Sequence, residues 1–407
     1  MTRFFGGGAS SVAINIVGGS ISDIWKGDRA RSLPMSLFGF TSVAGIALGP
    51  FVGSAIVQIR KPSVGLKSPW RWYVVLPFLS GNETDDTRIY YIQIIYNAAL
   101  IPVFWLILRE TRGDVILKKR AQKLRKSTGR EIYAESELDK PSIAQLLKVS
   151  FMRPTKMLIS EPVVIFFTLW ISFAWGILFL FFSSVVQTFG DSYGFGIFQT
   201  GLVQLAITVG AVIGTLINPL QDWMYLRTAG KNNERPGKPI PEARLYTSIP
   251  GSLLFTAGLF IYGWTCRPSV HWIVPAIGVA IVGVGIYSIY MGVVNYLTDA
   301  YEKYAASALS AASLGRNSFG AFLPLASGQL FSTLGFGWAG SLLGFVGLAL
   351  SVVPVVLLFK GKEIRARSPF MLDSTFDSDE GEGRKNSYSK KGQGRTAGGP
   401  SGGENEV

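Results

Sequence analysis

Cysteine and histidine are nearly missing from this 407-residue chain, which has one of each, Cys266 and His271. A lone cysteine excludes a disulfide within the chain. The two residues are too few ligands for a zinc or iron–sulfur site, so we expect no metal and no cofactor. The chain also lacks the Gly-x-x-x-x-Gly-Lys-[Ser/Thr] phosphate loop, which argues against a pump driven by ATP.

Charge is scarce as well, and it leans to one sign. Charged residues make up 16% of the chain and 48% of the residues are hydrophobic, whereas charged residues approach about 25% in soluble domains. The net charge is +13. Because the basic residues lie between apolar segments, the positive-inside rule explains them better than a nucleic-acid partner does. We expect no cleavable signal, because Met1-Thr2-Arg3 leads directly into an apolar stretch without a charged n-region. We therefore expect a lipid bilayer to surround the chain.

Nine apolar segments predict an all-α integral membrane protein. Each approaches the roughly twenty residues that a helix needs to cross about 30 Å of hydrocarbon. Three precede a basic connector at 111–156, and six follow it. The predicted spans cover residues 4–24, 33–58, 89–108, 158–185, 198–220, 245–266, 272–297, 305–331 and 336–359.

The loops between these spans predict the orientation of the chain. The connector at 111–156 carries twelve Lys or Arg against five Asp or Glu, and the loop at 222–244 is basic too, whereas 183–196 holds only Asp191. The positive-inside rule then places the connector, the basic loop and the C-terminus in the cytoplasm. The connector contains a basic amphipathic helix suited to a membrane face. The tail, 361–407, is predicted to be disordered because it has little to bury.

The second span has a proline in its middle. Pro50 removes one helical hydrogen bond and bends the helix. Gly45, Gly49 and Gly53 recur every fourth residue beside it. This spacing lines one face with bare backbone, so a neighbouring helix can approach closely. We predict a bent, glycine-faced helix within a moving bundle.

Several motifs together resemble one family. Gly45-Ile-Ala-Leu-Gly49-Pro50-Phe-Val-Gly53 is similar to the antiporter motif of the fifth helix in the major facilitator superfamily, and Arg3-Phe-Phe-Gly6-Gly7 to the pattern of the fourth. Matches to its fungal drug:proton antiporter branch are Leu108-Arg-Glu110-Thr111, Ser160-Glu161-Pro162, Pro241-Glu242-Ala243-Arg244-Leu245, Asn295-Tyr296-Leu297-Thr-Asp299-Ala-Tyr301, Ala306-Ser307-Ala308 with Arg316, and Lys362-Glu-Ile364-Arg365. The chain therefore resembles a multidrug or polyamine exporter of this branch over Arg3 to about Phe370.

The resemblance implies an organisation into two bundles. Residues 1–110 would form a partial N-terminal bundle of three helices, which lacks the family's first three helices and carries an insertion at 73–88. The connector at 111–156 would join it to a C-terminal bundle of six helices at 157–360, and a cytoplasmic tail at 361–407 would follow.

The resemblance also implies an activity without a covalent step, so the chain is not expected to be an enzyme. A monomeric secondary transporter would export a drug, polyamine or secondary metabolite by proton antiport with alternating access, and the proton gradient would supply the energy. The plasma membrane is the expected location, with the vacuolar membrane as the other choice. The alternative is a non-transporting truncated paralogue, or an incomplete gene model, of such a transporter.

Five residues are implied to lie on the path of substrate or protons. Arg316, Asn295 and Tyr296 would line the path, Glu161 would be a proton or cation site, and Arg3 would face the cavity. Charges at that depth need a partner or a function. Two structural alternatives stay open. In the first, Arg316 pairs with a backbone carbonyl or with Asp299. In the second, Glu161 is only a helix-entry charge before Pro162.

Further polar and aromatic residues complete the expected site. Asp23, Arg29, Asp222 and Asp299 would form a cytoplasmic gate, with solvation in loops as the alternative. Asn82-Glu83-Thr84 matches an N-glycosylation acceptor inside the suspected insertion. Trp170, Trp175, Tyr287, Tyr290 and Tyr296 would either wall a cavity that attracts organic cations or pack in the ordinary way.

Overall fold

The structure is a computed structural model. It describes residues 17–59 apart from 22 and 26, residues 95, 98–106, 110–134 and 137, and residues 142–232 and 237–373. All regular structure in these ranges is helical, as the sequence predicts. Arg3, Asn82, the 73–88 segment and the tail beyond residue 373 lie outside the described residues.

The spans predicted at 4–24 and 89–108 are only partly described, and the other seven coincide with described helices. These helices are given in chain order. They are α1 (Asp28–Ile59), α2 (Gly113–Thr128), α3 (Ile143–Ser160), α4 (Pro162–Tyr193), α5 (Ile197–Arg227), α6 (Ser248–Thr265), α7 (Ile273–Tyr301), α8 (Ala305–Leu350) and α9 (Val352–Arg367). Short 3₁₀ turns lie at Thr228–Lys231, Pro241–Leu245 and Glu302–Tyr304. Within the described ranges, five stretches are long and apolar enough to cross a membrane, namely Arg29–Ala55, Pro162–Tyr193, Ile197–Lys231, Pro241–Thr265 and Ile273–Arg367.

Local sequence sets where these helices begin and end. Glu161 is extended, with φ −106° and ψ 105°, and Pro162 opens α4 at the position where a missing N–H matters least. Helix α4 therefore begins four residues later than the predicted span at 158–185, and it continues to Tyr193. Gly194 ends α4 with φ 66°, a conformation that suits glycine. Gly335, with φ 73°, divides α8 where the sequence predicts a short loop.

Glycines let α7 pack closely between its neighbours. A Cβ on Gly283 of α7 would come within 2.6 Å of the Ile207 carbonyl oxygen of α5. A Cβ on Gly210 of α5 would overlap the Ala280 carbonyl oxygen of α7. On its other side, a Cβ on Gly278 would meet backbone atoms of α6. Without a hydrophobic drive between helices in lipid, such close contact supplies the packing energy that holds the bundle.

Helix α1 packs on α5 through a different face from the one predicted. Val43, Ala44 and Ala47 are buried. Gly45 and Gly49 are exposed instead, and no described atom lies within 4 Å of a Cβ built at either, or at Gly53. The expected close approach at the glycine row therefore does not occur among the described residues, because the row is not on the face that α1 turns towards α5.

The connector contains two described helices, α2 and α3, rather than the one predicted from its pattern. Arg125 of α2 forms an ion pair with Glu137 at 2.6 Å and stacks 4.1 Å over the Tyr133 ring. Desolvation raises the pKa of Glu137, but the hydrogen bond and charge of Arg125 outweigh it and leave the pKa below its usual value. Leu117 and Leu124 are exposed on α2. The amphipathic character that the sequence predicts is thus retained.

We predict that Gly210→Ala destabilises the bundle while Gly45→Ala does not. The new methyl at position 210 must displace the α7 backbone, and overpacking of this kind costs about 1–3 kcal/mol. At position 45 it meets open space, and alanine is the better helix former. Thermal unfolding in detergent measures both variants. Equal melting temperatures would contradict the close contact between α5 and α7.

Candidate functional site

A cavity of about 1060 Å³ lies between α1, α4, α5, α7 and α8. Its inner end is bounded by Phe38, Ile171, Tyr290 and Arg316. Its other end reaches basic side chains at the start of α1 and α8 and on α9, and we call this the basic end. The lining is mostly apolar along α7 and α8, so the cavity suits a small amphiphilic molecule.

Arg316 is held at the inner end of the cavity by two aromatic rings. Its guanidinium carbon lies 4.6 Å from the centre of the Trp175 ring and 5.5 Å from that of Tyr290. Only 6% of the residue is exposed. Its Nε has no hydrogen-bond partner among the described residues. Cation–π attraction of this kind is strongest when the cation is desolvated.

The packing of α8 on α4 fixes this position. A Cβ on Gly315 would overlap the Thr168 side chain, so the two helices touch immediately beside Arg316. Within the described chain Arg316 forms no ion pair with Asp299 and no hydrogen bond to a carbonyl. The two structural partners considered for it are therefore not seen.

The two candidate path residues on α7 are separated by the structure. Asn295 lines the cavity, as do Thr298 and Asp299 three and four residues on. Tyr296 is not among the lining residues, because it is fully buried with its ring edge-on to Phe167, 5.1 Å between centroids. Its hydroxyl has no partner among the described groups. The structure thus differs from the expectation that Tyr296 lines the path.

An ion-pair network closes the basic end, and Arg244 is its centre. Arg244 donates from Nε to Asp299 at 2.8 Å and from Nη1 to Asp222 at 3.1 Å. Its guanidinium lies 3.4 Å over the Tyr225 ring, and the Tyr225 hydroxyl donates to Asp299 at 2.8 Å. Arg31 of α1 reaches Asp299 at 3.4 Å. We call Arg31, Asp222, Tyr225, Arg244 and Asp299 the ion-pair network.

Sequence reasoning found only part of this network. Asp222 and Asp299 meet through Arg244, which the sequence offered only as part of a motif. Asp23 and Arg29 are exposed and form no ion pair with a described residue. Arg31, two positions further along α1, takes the place expected for them. The sequence signal that could have singled out Arg244 is the motif Pro241-Glu242-Ala243-Arg244, which places a cation immediately before a predicted span.

The aromatic residues divide into two groups. Trp175 and Tyr290 stack beside each other, 5.3 Å between centroids, and hold Arg316. Tyr287 instead donates to the Ser36 carbonyl of α1 at 3.2 Å. Trp170 is buried against Phe167. The ring surfaces expected to attract an organic cation are thus already in contact with a cation of the chain.

Glu161 is buried at the junction of α3 and α4, outside the cavity lining. Its Oε2 accepts hydrogen bonds from Tyr301 at 3.0 Å and from Ser368 at 2.7 Å. Its Oε1 has no partner among the described residues, and the residue is 1% exposed. It precedes Pro162 as a helix-entry residue would. Its burial, however, is unlike that of an ordinary helix-entry charge, which would be exposed to solvent.

A cavity enclosed by apolar helices, with a buried charge network at one end, is the architecture of a membrane transport protein rather than an enzyme. The sequence profile of the Major Facilitator Superfamily matches residues 1–324. The chain belongs to this family and is an integral membrane protein.

Three fungal relatives show the range of similarity. The transporter paaT of Penicillium rubens is 33% identical over 90% of this chain and 62% of its own length. The efflux pump atB of Aspergillus terreus is 35% identical over 91% of this chain and 73% of its own length. The multidrug transporter FLU1 of Candida albicans is 33% identical over 90% of this chain. The chain spans 57% of FLU1's length.

We predict that Arg244→Gln severely destabilises the protein while Arg227→Gln does not. Removing Arg244 leaves two buried carboxylates without their shared cation, which costs about 3–5 kcal/mol. Arg227 is exposed at the end of the same helix as Asp222 and stacks only on Trp223, at 3.5 Å. The yield of folded protein in detergent and its melting temperature compare the two. A normal melting temperature for the Arg244 variant would show that the network is not a stabilising centre.

Proposed function

We propose that this chain is a secondary transporter that exports a small organic molecule by proton antiport with alternating access. The observation that carries the proposal is the central cavity, whose basic end is bridged by one ion pair between α1 and α7. Names of the relatives, among them an efflux pump and a multidrug transporter, support export.

The Arg31–Asp299 pair has the character of a reversible latch. It is the longest of the three ion pairs described in the network, at 3.4 Å, and the Arg31 side chain is 23% exposed. It also connects α1, from the first part of the chain, with the bundle that holds Arg244. A partly solvated pair contributes about 1 kcal/mol at most, so it can break and re-form as the protein switches.

The positive-inside rule assigns the basic end to the cytoplasm, and the plasma membrane is the location we propose. A cargo then enters the cavity from the cytoplasm past Arg31 and Asp299. Around Pro50 no described atom lies within 4 Å of a Cβ built at Gly45, Gly49 or Gly53, and on this side we propose that α1 bends as the halves separate.

Glu161 is the group that we propose to carry the proton. It is a buried carboxyl group with one oxygen hydrogen-bonded to Tyr301 and Ser368 and the other without a described partner. Both donors are hydroxyls, so the described surroundings supply no fixed positive charge at the carboxyl. Binding and release of a proton there would change the charge of the α3–α4 junction during the transport cycle.

We predict that Arg31→Gln loosens the contact between α1 and α7. Gly39→Cys and Met291→Cys, in a Cys266→Ser background, place two thiols in contact across this seam, since a Cβ at Gly39 lies 3.3 Å from Met291 Cγ. Loss of about 1 kcal/mol changes a two-state ratio about fivefold, so disulfide formation should become slower.

Arg29→Gln is the matched control, because Arg29 is exposed two positions away. Equal cross-linking rates in the Arg31 and Arg29 variants would remove the latch from the proposal.

We predict that Glu161→Gln abolishes export driven by a pH gradient but keeps exchange of probe without a gradient. The glutamine carbonyl still accepts from Tyr301 and Ser368, but its amide group does not bind and release a proton. Inside-out vesicles with an acidic interior are offered two permanently charged probes, 2-naphthalenesulfonate and trimethyl(naphthylmethyl)ammonium, neither of which crosses lipid unaided. Glu363→Gln, at an exposed position on α9, is the control.

The same assay tests transport itself. Accumulation of either probe above that in vesicles without the protein supports a transporter. If the purified chain binds a probe and the vesicles accumulate neither, the chain is a non-transporting relative. Full gradient-driven export by the Glu161 variant would instead remove this residue from proton coupling.

A further inference from the structure

We infer that the cavity takes an acidic cargo, an amphiphile with an apolar body and one oxyanion such as a carboxylate, and that Arg316 binds the oxyanion. The inference rests on the proposed function, because it names the class of molecule that the same cavity would carry. It reverses the expectation that the aromatic wall attracts organic cations.

The first observation is the incomplete environment of Arg316. Its positive charge faces Trp175 and Tyr290 but no carboxylate of the described chain. A buried arginine within a membrane helix is unfavourable unless it is paired. Cation–π contact compensates one face of the guanidinium and leaves its N–H groups, Nε among them, to be satisfied.

The second observation is the geometry of the guanidinium group. Arginine presents planar N–H donors in a fork that matches the two oxygens of a carboxylate, and such charge-assisted pairs are stronger than neutral hydrogen bonds. Arg316 lines the cavity at its inner end, so a cargo molecule can reach it. Phe38 and Ile171 lie at the same end and would contact the apolar body of that molecule.

The third observation is the balance of charge along the cavity. Six of its lining residues are cationic, namely Arg31, Lys238, Lys303, Arg316, Lys362 and Arg365. Two are acidic, Asp299 and Glu302, which leaves an excess of four positive charges over the same set of residues. Both acids are already paired, Asp299 with Arg244 and Glu302 with Lys238. Their partners outside the lining, Arg244 against Asp222, Glu242 and Asp373, reduce this excess to two positive charges. The remaining sign favours anions over cations in the cavity.

Depth distinguishes Arg316 from the other cations. Arg31, Lys238, Lys303 and Arg365 each form an ion pair with a described carboxylate at the basic end. Arg316 lies furthest along α8 among the lining residues and forms none. An organic cation entering the cavity would find its best aromatic surface, Trp175 and Tyr290, already occupied by this arginine. An anion would find a partner.

Binding to the purified full chain tests the inference apart from transport. Isothermal titration calorimetry, with empty micelles as blank, compares three probes with the same ring system: 2-naphthalenesulfonate, 2-naphthalenemethanol and trimethyl(naphthylmethyl)ammonium. We expect the wild-type chain to bind the sulfonate roughly tenfold or more tightly than either other probe, the range of a hydrogen bond to a charged group. Arg316→Gln should remove this preference, and Arg316→Lys should keep part of it.

The control is Arg267→Gln, because Arg267 also lies over a tryptophan, 5.3 Å from the Trp264 ring centre, but outside the cavity lining. It should leave sulfonate binding unchanged. Melting temperatures show whether each variant is folded. If Arg316→Gln does not fold, the inference is tested by the preference of the wild-type chain for the sulfonate and by the reduction of that preference in Arg316→Lys.

Three results would overturn the inference: equal or tighter binding of the ammonium probe, no preference for the sulfonate in the wild-type chain, or a preference that survives in folded Arg316→Gln. Each is independent of the vesicle assay. A chain that transports the ammonium probe would therefore remain a transporter and refute only the acidic cargo.

Discussion

A charge buried inside a protein needs a partner, and this constraint organises the basic end of the bundle. Arg244 meets it by binding Asp222 and Asp299 together while it stacks on Tyr225. The 3₁₀ turn at Pro241–Leu245 thus connects the end of α5 to the end of α7 through side chains. Arg31 then has a fixed acceptor on α7. If Arg244 and Tyr225 did not fix the position of Asp299, Arg31 of α1 would have no ordered acceptor there.

The helix contacts are of two kinds. Helix α7 packs backbone against backbone on α5 and α6, whereas its polar contact with α1 through Arg31 is partly solvated and weaker; we call this the soft contact. Glycines at positions 210, 278 and 283 bring α7 against α5 and α6 with no room for a side chain, which favours movement of these helices as one body. Between the described residues of α1 and α7, the polar contacts are the Arg31–Asp299 pair and the Ser36–Tyr287 hydrogen bonds, one of them 2.9 Å long. A switch between two states is easiest at the soft contact.

Much of the fold could be predicted from local patterns, whereas the site could be predicted only in part. The apolar runs predicted helices at each span after the connector, because an uncharged run of about twenty residues is a local property. They did not predict that the last run would be divided between α8 and α9. The row Gly45, Gly49 and Gly53 was equally visible, but which side of α1 meets α5 depends on rotation about the helix axis. Asn295 and Tyr296 are adjacent in the chain and diverge because neighbours on a helix point about 100° apart.

The sequence by itself determined that this protein is helical, lies in a membrane and belongs to a transporter family, since composition, span length and collinear motifs are properties of the chain. Only the tertiary structure decided which charges meet. Arg244 and Asp299 are 55 positions apart, and Arg31 and Asp299 are 268 apart. Arg316 meets Trp175 and Tyr290 from two other helices. Such pairs form when packed helices fix distance and rotation together, which no single segment encodes.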